Sequence, residues 1–426
     1  MNSLTLKRTA INSRVWLLVP LFCFTESMFT WLFLRNSHLT ELYQKYLLVG
    51  VYGWMLYRFF KLENGDRWVV AVFTAVMIRM VLESLDKYNS WFRQPTMFTV
   101  LAPAIYVLFI KNVLQKIKAS VLPLLCAFYL AAYVAFMALF GSGFSFSLEQ
   151  IEMLDYGPFS GDGRLIHASH IFMMIVPLTY YGHLFLHQRK PIWLFLFVVC
   201  ATILVIHQHR SVWSSALVAM TLYTLTAWRN NLLRINSLGR TVVVISAVAA
   251  LALFYVSNLY PGLLGFLGDR FAEILDPTNE NTTGSFRVAQ RETYLKLFLQ
   301  RPFFGWTFEG FEMPNPLVDW WPSGTGQHFH EGYVEMLFYE GIAGLAVKYG
   351  VLIYGCIRLF SKCLSAEAVV LLPFCISGLV FSLSYVLPLP FWGVVGMALF
   401  YLHSNKQCAY ASIVQKSAPF RTAVLN

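Results

Sequence analysis

Residues 192–206 read IWLFLFVVCATILVI, and after a short polar interval residues 212–228 read VWSSALVAMTLYTLTAW. Neither run contains a charged side chain, and both are rich in large apolar residues. A helix needs roughly 20 mainly apolar residues to cross the hydrocarbon core of a bilayer. The two runs therefore predict a pair of transmembrane helices, joined by the polar residues 207–211, His-Gln-His-Arg-Ser.

Similar apolar runs recur along most of the chain. Hydrophobic residues make up 57% of the sequence and charged residues only 13%, whereas a soluble domain is about one quarter charged. The runs occupy residues 15–34, 46–60, 68–82, 97–110, 121–140, 165–186, 192–206, 212–228, 242–259, 333–357, 368–387 and 391–403. This pattern predicts an all-α integral membrane protein with about twelve transmembrane helices. The first run lacks a small-residue cleavage site, so we expect it to be a retained anchor.

The distribution of lysine and arginine predicts the orientation in the membrane, because basic residues are retained on the cytoplasmic side. With a cytoplasmic N-terminus, every segment on that side carries two or three basic residues: Lys7, Arg8, Arg14, Arg58, Lys61, Arg67, Lys111, Lys116, Lys118, Arg189, Lys190, Arg229, Arg234, Arg240, Arg358, Lys362, Lys406, Lys416 and Arg421. Both termini are thus expected in the cytoplasm. Anionic lipid accounts for the net charge of +10 without a nucleic-acid partner.

The chain divides into four parts on this topology. Nine transmembrane helices occupy residues 1–259, a long non-cytoplasmic loop residues 260–331, three transmembrane helices residues 332–404, and a cytoplasmic tail residues 405–426. All seven cysteines fall in spans or on the cytoplasmic side, and the sequence has no CxxC pair or Cys/His cluster with zinc spacing. These observations argue against a metal centre built on cysteine.

The loop between the ninth and tenth spans is about 70 residues long, and a connection of that length is expected to be either functional or disordered. Its phenylalanine, tryptophan and leucine content favours a folded segment, and residues 286–300, FRVAQRETYLKLFLQ, predict an amphipathic helix. Arg287 and Arg291 are four residues apart and share one face of that helix. Two interpretations remain at this point: a solvated basic face, or a surface that binds an anionic ligand.

A turn and a histidine pair follow the predicted helix. Residues 301–306, Arg-Pro-Phe-Phe-Gly-Trp, combine a helix stop with turn-forming residues. His328 and His330 stand at the entrance of the tenth span. They are compatible with a metal pair, with a general base, or with residues at the membrane interface. Histidine is suited to proton transfer because its side chain titrates near neutral pH.

The spacing of these residues is shared with a known family. Arg287 lies fifteen positions before Pro302, which starts a Pro-x-x-Gly turn ending at Gly305, and His330 lies eleven positions before Gly341. Residues 340–345, Glu-Gly-Ile-Ala-Gly-Leu, and Arg210 between the seventh and eighth spans complete the pattern. In this order of elements the chain resembles the O-antigen ligase and polymerase superfamily of bacterial cell-envelope glycosyltransferases. It departs from that pattern at Glu331, where asparagine is common, and at Glu340, one place later than usual.

The resemblance implies a C-type glycosyltransferase fold in the bacterial inner membrane, with the long loop in the periplasm. It implies transfer of a polysaccharide from undecaprenyl diphosphate to an acceptor sugar, for a ligase the lipid A core, with no cofactor or metal ion. Guanidinium groups neutralise a diphosphate leaving group well, because they bind it bidentately. Arg210, Arg287 and Arg291 are the expected diphosphate ligands, and His330 is the expected base. His328 and Glu331 are candidates for the acceptor site.

Two further functions remain open from the sequence. The family pattern concerns the lipid diphosphate donor, so a polymerase that extends a glycan on its carrier fits almost as well as a ligase. A transporter or flippase of lipid-linked glycan would also have many spans, but the sequence shows none of the internal repeats that transporters usually carry. Within the spans, Arg79 and Glu83 either form a structural pair, which we expect, or line a cavity. Lys348 either reaches the interface or lies near lipid phosphate.

Overall fold

The computed structural model describes residues 22, 25–34, 38–91, 103–117, 120–140, 166–207, 209–233, 258, 265, 268, 283–317, 326–327, 329–361 and 364–402. Every regular element in these ranges is helical. The helices are α1 (Ser27–Leu34), α2 (His38–Tyr57), α3 (Asn64–Tyr88), α4 (Pro103–Ile117), α5 (Leu122–Phe140), α6 (Ala168–Met173), α7 (Ile175–Gln188), α8 (Pro191–Ile206), α9 (Arg210–Arg229), α10 (Thr283–Phe298), α11 (Thr307–Glu312), α12 (Gly332–Leu359), α13 (Ala366–Phe381) and α14 (Leu389–Leu402).

Three of the described helices are long and apolar enough to cross a membrane: α3, residues Leu122–Leu139 of α5, and α12. Residues Pro191–Val205 of α8, α13 and α14 are equally apolar but shorter. The structure therefore fits a helical membrane protein, while the number of twelve spans stays a prediction. The predicted span over residues 242–259 lies outside the described residues, apart from Asn258.

The predicted span over residues 165–186 is two helices, α6 and α7, separated at Met174. Pro177 in the first turn of α7 explains the break, because proline has no amide hydrogen to donate to the preceding turn. His167 caps α6, where its backbone amide donates to the Nδ1 atom of His170 at 3.0 Å. The side chain of His170 is buried in the bundle.

Aromatic side chains cluster where α6, α13 and α14 meet, within a core that is mainly aliphatic. Phe172 of α6 stacks on Phe381 of α13 with 4.1 Å between ring centroids, and it also contacts the rings of Phe374 and Phe391. Helix α13 packs against α9 and α12 as well. These contacts bring α6, α9, α12 and α13 together, and the candidate site lies at one end of this group.

Helices α10 and α11 lie at the end of the bundle where α12 begins and α3 ends, which we call the loop side. A small hydrophobic cluster joins them to these two spans: Met80, Tyr294, Phe311, Val334, Phe338 and Tyr339. Lys87, near the end of α3, forms an ion pair with Glu309 of α11, and Tyr88 hydrogen-bonds to Glu312. Helices α10 and α11, the described helices of the segment between the ninth and tenth predicted spans, therefore pack against the bundle.

Helix α12 is interrupted at Gly341, where the backbone has φ 64° and ψ −162°. Residues 299–306, which we call the inserted turn, fill this interruption. The amides of Ile342 and Ala343 donate to the carbonyls of Pro302 and Phe303 at 2.9 and 3.0 Å, and the amide of Trp306 donates to Phe338 at 2.7 Å. The turn thus restores hydrogen bonds that the break in α12 removes.

Arg79 and Glu83 do not pair with each other, so the expected structural pair is wrong. Glu83 forms its ion pair with Lys87 at 3.0 Å, and the guanidinium of Arg79 lies 5.9 Å from the ring centroid of Phe304 in the inserted turn. Lys348 is buried in an ion pair with Glu340. Within α12, therefore, the ammonium group of Lys348 has a protein carboxylate as its partner.

Candidate active site

Helix α10 forms from a sequence rich in good helix formers and ends at Phe298, within a turn of Pro302, which cannot continue a helix. The helix predicted over residues 286–300 is thus confirmed with slightly earlier bounds. One face of α10 packs against Gln327, Phe329, His330 and Glu331. Tyr294 of this face donates to Oε1 of Gln327 at 2.8 Å. Four residues earlier, Oε1 of Gln290 accepts from the backbone amide of His330 at 3.0 Å. Gln290 and Tyr294 are four residues apart on one face of α10, and both therefore contact the segment that leads into α12.

Arg291 and Glu331 form a bidentate ion pair on this face. The Nε atom of Arg291 donates to Oε2 of Glu331 at 3.0 Å, and Nη2 donates to Oε1 at 2.5 Å. The carboxylate is buried, with 4% of its side chain exposed, whereas half of the arginine side chain is exposed. The hydrogen bonds to Glu331 raise the pKa of Arg291, which keeps the guanidinium charged. The sequence predicts Arg291 as a diphosphate ligand and Glu331 as an acceptor-site residue. In the structure the two side chains pair with each other.

His330 is held from two sides. Its backbone amide donates to the buried amide side chain of Gln290, which is 1% exposed. Its ring meets the ring of Phe286 edge to face, with 5.5 Å between centroids and an interplanar angle of 88°. Both contacts come from α10, so the position of the imidazole depends on how this helix docks. His328 lies outside the described residues.

Arg287 contacts the segment that follows α13. Its guanidinium carbon lies 5.4 Å from the ring centroid of Tyr385, a cation–π contact. Tyr385 in turn stacks on Phe381 with 5.3 Å between centroids. The amide of Gly332 donates to the carbonyl of Ser382 at 2.9 Å. The segment after α13 thus contacts both Arg287 and the start of α12.

These contacts bring Arg287, Arg291, His330 and Glu331 into one site on the loop side. Arg287 follows Phe286, whose ring touches His330. The first two residues are separated from the second two by some forty positions in sequence. The docking of α10 onto the entrance of α12 therefore assembles an arginine, an ion pair and a histidine.

Arg210 is the first residue of α9 and connects to this region through α6. Helix α6 contacts α9, and Phe172 of α6 stacks on Phe381. His207, three residues before Arg210, forms a hydrogen bond with Tyr133. The turn that carries Arg210 is therefore anchored by buried polar contacts beside α6.

Several side chains of the site have no distinctive sequence signal. Gln290, Tyr294 and Tyr385 are single residues in unremarkable local sequence, and only their partners reveal their roles. Burial raises the pKa of the Tyr294 hydroxyl, which therefore remains protonated and donates to Gln327. A glutamate within the first apolar run is a sequence signal for a buried polar contact, because Oε2 of the buried Glu26 lies 3.2 Å from Nε2 of His170.

Ion pairs join several charged residues on the loop side. Glu309 accepts from Lys87 and from Arg301, the latter at 2.5 Å. The hydrogen bond from Lys87, followed by that from Arg301, lowers the pKa of Glu309. Arg301 also lies over the ring of Trp306, 4.3 Å from its centroid. Among the described residues, no group of three or more His, Cys, Asp and Glu side chains is placed to hold a metal ion.

The fold and the site define a class: a multi-helix membrane protein with an arginine and histidine site at one end of its bundle. Residues 195–348 match the family model described as O-antigen ligase, a little over a third of the chain. The matched segment runs from α8 into α12 and includes Arg210, Arg287 and His330. This match confirms the resemblance to the O-antigen ligase superfamily and supports a membrane glycosyltransferase of the ligase or polymerase type. No curated protein matches the chain.

Proposed function

We propose that this protein transfers a polysaccharide from undecaprenyl diphosphate to an acceptor sugar at the periplasmic face of the bacterial inner membrane, as an O-antigen ligase acting on the lipid A core. The observation that carries this proposal is the docking of α10 onto the segment that leads into α12. Phe286 and Gln290 of α10 contact His330, and Arg287, the residue after Phe286, contacts Tyr385. A cation for the leaving group and a base for the attacking hydroxyl are the two groups that such a transfer needs.

Arg287 is assigned to the leaving diphosphate. Its guanidinium lies against the face of Tyr385 and is half-buried, so its position is constrained by an aromatic ring. A planar guanidinium offers two parallel donors to phosphate oxygens as charge develops on them. Arg210 is assigned as the second diphosphate ligand, because its turn joins the same group of helices through α6.

His330 is assigned as the general base. The hydrogen bond from its backbone to Gln290 and the edge contact with Phe286 fix the start of the side chain and leave the ring half-buried. An acceptor hydroxyl loses its proton as it attacks the anomeric carbon, and a positioned imidazole accepts that proton. The glycosidic carbon–oxygen bond to the diphosphate breaks as the new one forms.

Arg291 and Glu331 are assigned to positioning. Glu331 already accepts two hydrogen bonds from Arg291, so this guanidinium is engaged by a protein carboxylate. The pair connects α10 to the residue that follows His330. We therefore place the diphosphate at Arg287 and Arg210, and keep His328 as the candidate acceptor residue.

The test is a transfer assay with purified full-length protein in nanodiscs, lipid-linked glycan donor and lipid A core acceptor, in the presence of a chelator. We expect the glycan to move to the lipid A core without added metal, because guanidinium groups occupy the place of a divalent ion. Activity that appears only with magnesium or manganese would refute the metal-free site. Elongation of the donor with no product on lipid A core would assign the protein as a polymerase, the function that the same family model also covers.

A further inference from the structure

Tyr385 is fixed at both its backbone and its ring. It ends a turn of residues 382–385, which we call the α13 turn, and the amides of Ser384 and Tyr385 both donate to the carbonyl of Phe381 at 3.0 Å. The ring of Tyr385 stacks on the buried ring of Phe381 with 5.3 Å between centroids and an interplanar angle of 24°. The position of the Tyr385 ring is thus set by α13 and not by Arg287.

The α13 turn is also fitted closely to the start of α12. The amide of Gly332 donates to the carbonyl of Ser382 at 2.9 Å. A Cβ atom at Gly332 would lie 3.1 Å from the carbonyl oxygen of Tyr385, so the two backbones approach as closely as a glycine allows. Gly332 follows His330 by two residues. The turn that contacts Arg287 is therefore fixed relative to the chain segment that carries His330.

Arg287 and Arg291 are held by different kinds of partner. The guanidinium of Arg291 is bound by the carboxylate of Glu331. Among the described residues, no carboxylate forms an ion pair with Arg287, and its contact is the ring of Tyr385 at 5.4 Å. An aromatic face attracts a cation through the ring quadrupole and adds no formal negative charge. A carboxylate, in contrast, would compete with a diphosphate for the same donors.

A ring contact of this kind increases the affinity of an arginine for an anion. An arginine side chain has many rotamers, and ordering them on binding lowers the affinity for the ligand. A fixed ring that already restricts the guanidinium removes part of this loss before the ligand arrives. Tyr385 therefore has the properties of a support for Arg287 that leaves the positive charge available.

We propose that Tyr385 is a positioning residue, which holds the guanidinium of Arg287 at a fixed place relative to His330 and ready for the leaving diphosphate. Through the α13 turn, one rigid segment then sets the position of the cation and of the chain that carries the base. This inference rests on the proposed function, because it assumes that Arg287 binds the diphosphate.

A double-mutant cycle on donor affinity tests this role. The four proteins are the wild type, Tyr385→Leu, Arg287→Gln and the variant with both changes, each full-length in phospholipid nanodiscs. The measured quantity is the Kd of labelled undecaprenyl diphosphate. Tyr385→Phe keeps the ring and is the conservative variant. Tyr354→Leu, at an exposed tyrosine of α12, is the matched control.

We expect Tyr385→Leu to raise the Kd about 3- to 30-fold, the range of a cation–π contact. Tyr385→Phe and Tyr354→Leu should keep the wild-type Kd, because the ring contact is retained in both. In the Arg287→Gln background, Tyr385→Leu should have almost no further effect, since the cation that the ring holds is gone. An equal loss in both backgrounds would show a general structural role and overturn the inference, and so would a loss in Tyr385→Phe as large as that in Tyr385→Leu.

The outcomes separate this inference from the proposed function. If Arg287→Gln binds undecaprenyl diphosphate as tightly as the wild type, the diphosphate site is assigned wrongly and both proposals fall. If Arg287→Gln weakens binding and Tyr385→Leu does not, only the positioning role is overturned. Thermal unfolding confirms that each variant is folded, and Tyr385→Met takes the place of Tyr385→Leu if the latter does not fold.

Discussion

Arg287 presents a planar fork of donors, which a lysine ammonium does not. If this fork binds the leaving diphosphate, we expect Arg287→Lys to reduce the transfer rate about a hundredfold or more, or roughly 3 kcal/mol in the barrier. The loss arises although the net charge is unchanged. The measurement is the initial rate of glycan transfer in nanodiscs. Lys296→Arg on the same helix is the matched control, since Lys296 is exposed, and wild-type activity in Arg287→Lys would remove the assignment.

His330 is expected to act on the acceptor and not on the donor. His330→Ala should lower the transfer rate by about 10² to 10⁴, the usual contribution of a general base. The affinity for undecaprenyl diphosphate should remain close to that of the wild type, because Arg287 is retained. Binding of the labelled donor and the transfer rate are measured on the same preparation. Near-normal transfer in His330→Ala would show that another group accepts the proton.

The Arg291 and Glu331 pair gives a prediction about positioning. Arg291→Ala leaves the buried carboxylate of Glu331 without its two hydrogen bonds, which costs roughly 1–3 kcal/mol of stability. We expect a lower unfolding temperature and a lower turnover rate with an unchanged donor affinity. The exchange variant, Arg291→Glu with Glu331→Arg, should recover part of both losses. If Arg291→Ala weakens donor binding alone, Arg291 belongs to the diphosphate site.

At the scale of elements, the break in α12 depends on two glycines with positive φ, Gly305 at 68° and Gly341 at 64°. A Cβ atom at Gly341 would lie 2.5 Å from the carbonyl carbon of Phe303. Gly341→Ala should therefore lower the stability by roughly 1–3 kcal/mol through backbone strain alone, and the clash adds to this. Gly350→Ala in the same helix is the control, because its Cβ atom would have no neighbour within 4 Å. Thermal unfolding of both variants in detergent measures the difference, and equal unfolding temperatures would contradict the packing of the inserted turn.

The sequence predicted the elements that depend on local patterns. The helix at residues 286–300 and the turn after it follow from helix formers and from Pro302. The break in α12 has no local signal, because residues 333–357 contain no proline, and the conformation of Gly341 depends on its contact with the inserted turn. Arg291 and Glu331 are forty residues apart, so periodicity carries no information about their pairing.

At the scale of the whole molecule, ion pairs fix which chain segments share a side. Lys111 of α4 pairs with Asp66 at 2.9 Å and with Glu63 at 3.1 Å, at the start of α3. The opposite end of α3 carries Lys87, which pairs with Glu309 of α11. Residues 65 and 115 must therefore lie on one side of the membrane and residue 300 on the other, if α3 spans it.

Topology reporters test the packing of the helices and their orientation in the membrane separately. Basic residues are retained on the cytoplasmic side, so their distribution predicts a cytoplasmic signal at positions 65, 115, 235 and 410 and a periplasmic signal at 155 and 300. The same signal at 65 and 300 would contradict the packing of α3 against α4 and α11. Opposite signals with the sides exchanged would leave the fold intact and overturn the orientation. In that case the site of Arg287 and His330 would face the cytoplasm, and transfer onto a periplasmic acceptor would be impossible. The expected periplasmic signal at 300 is thus a necessary condition for the proposed reaction.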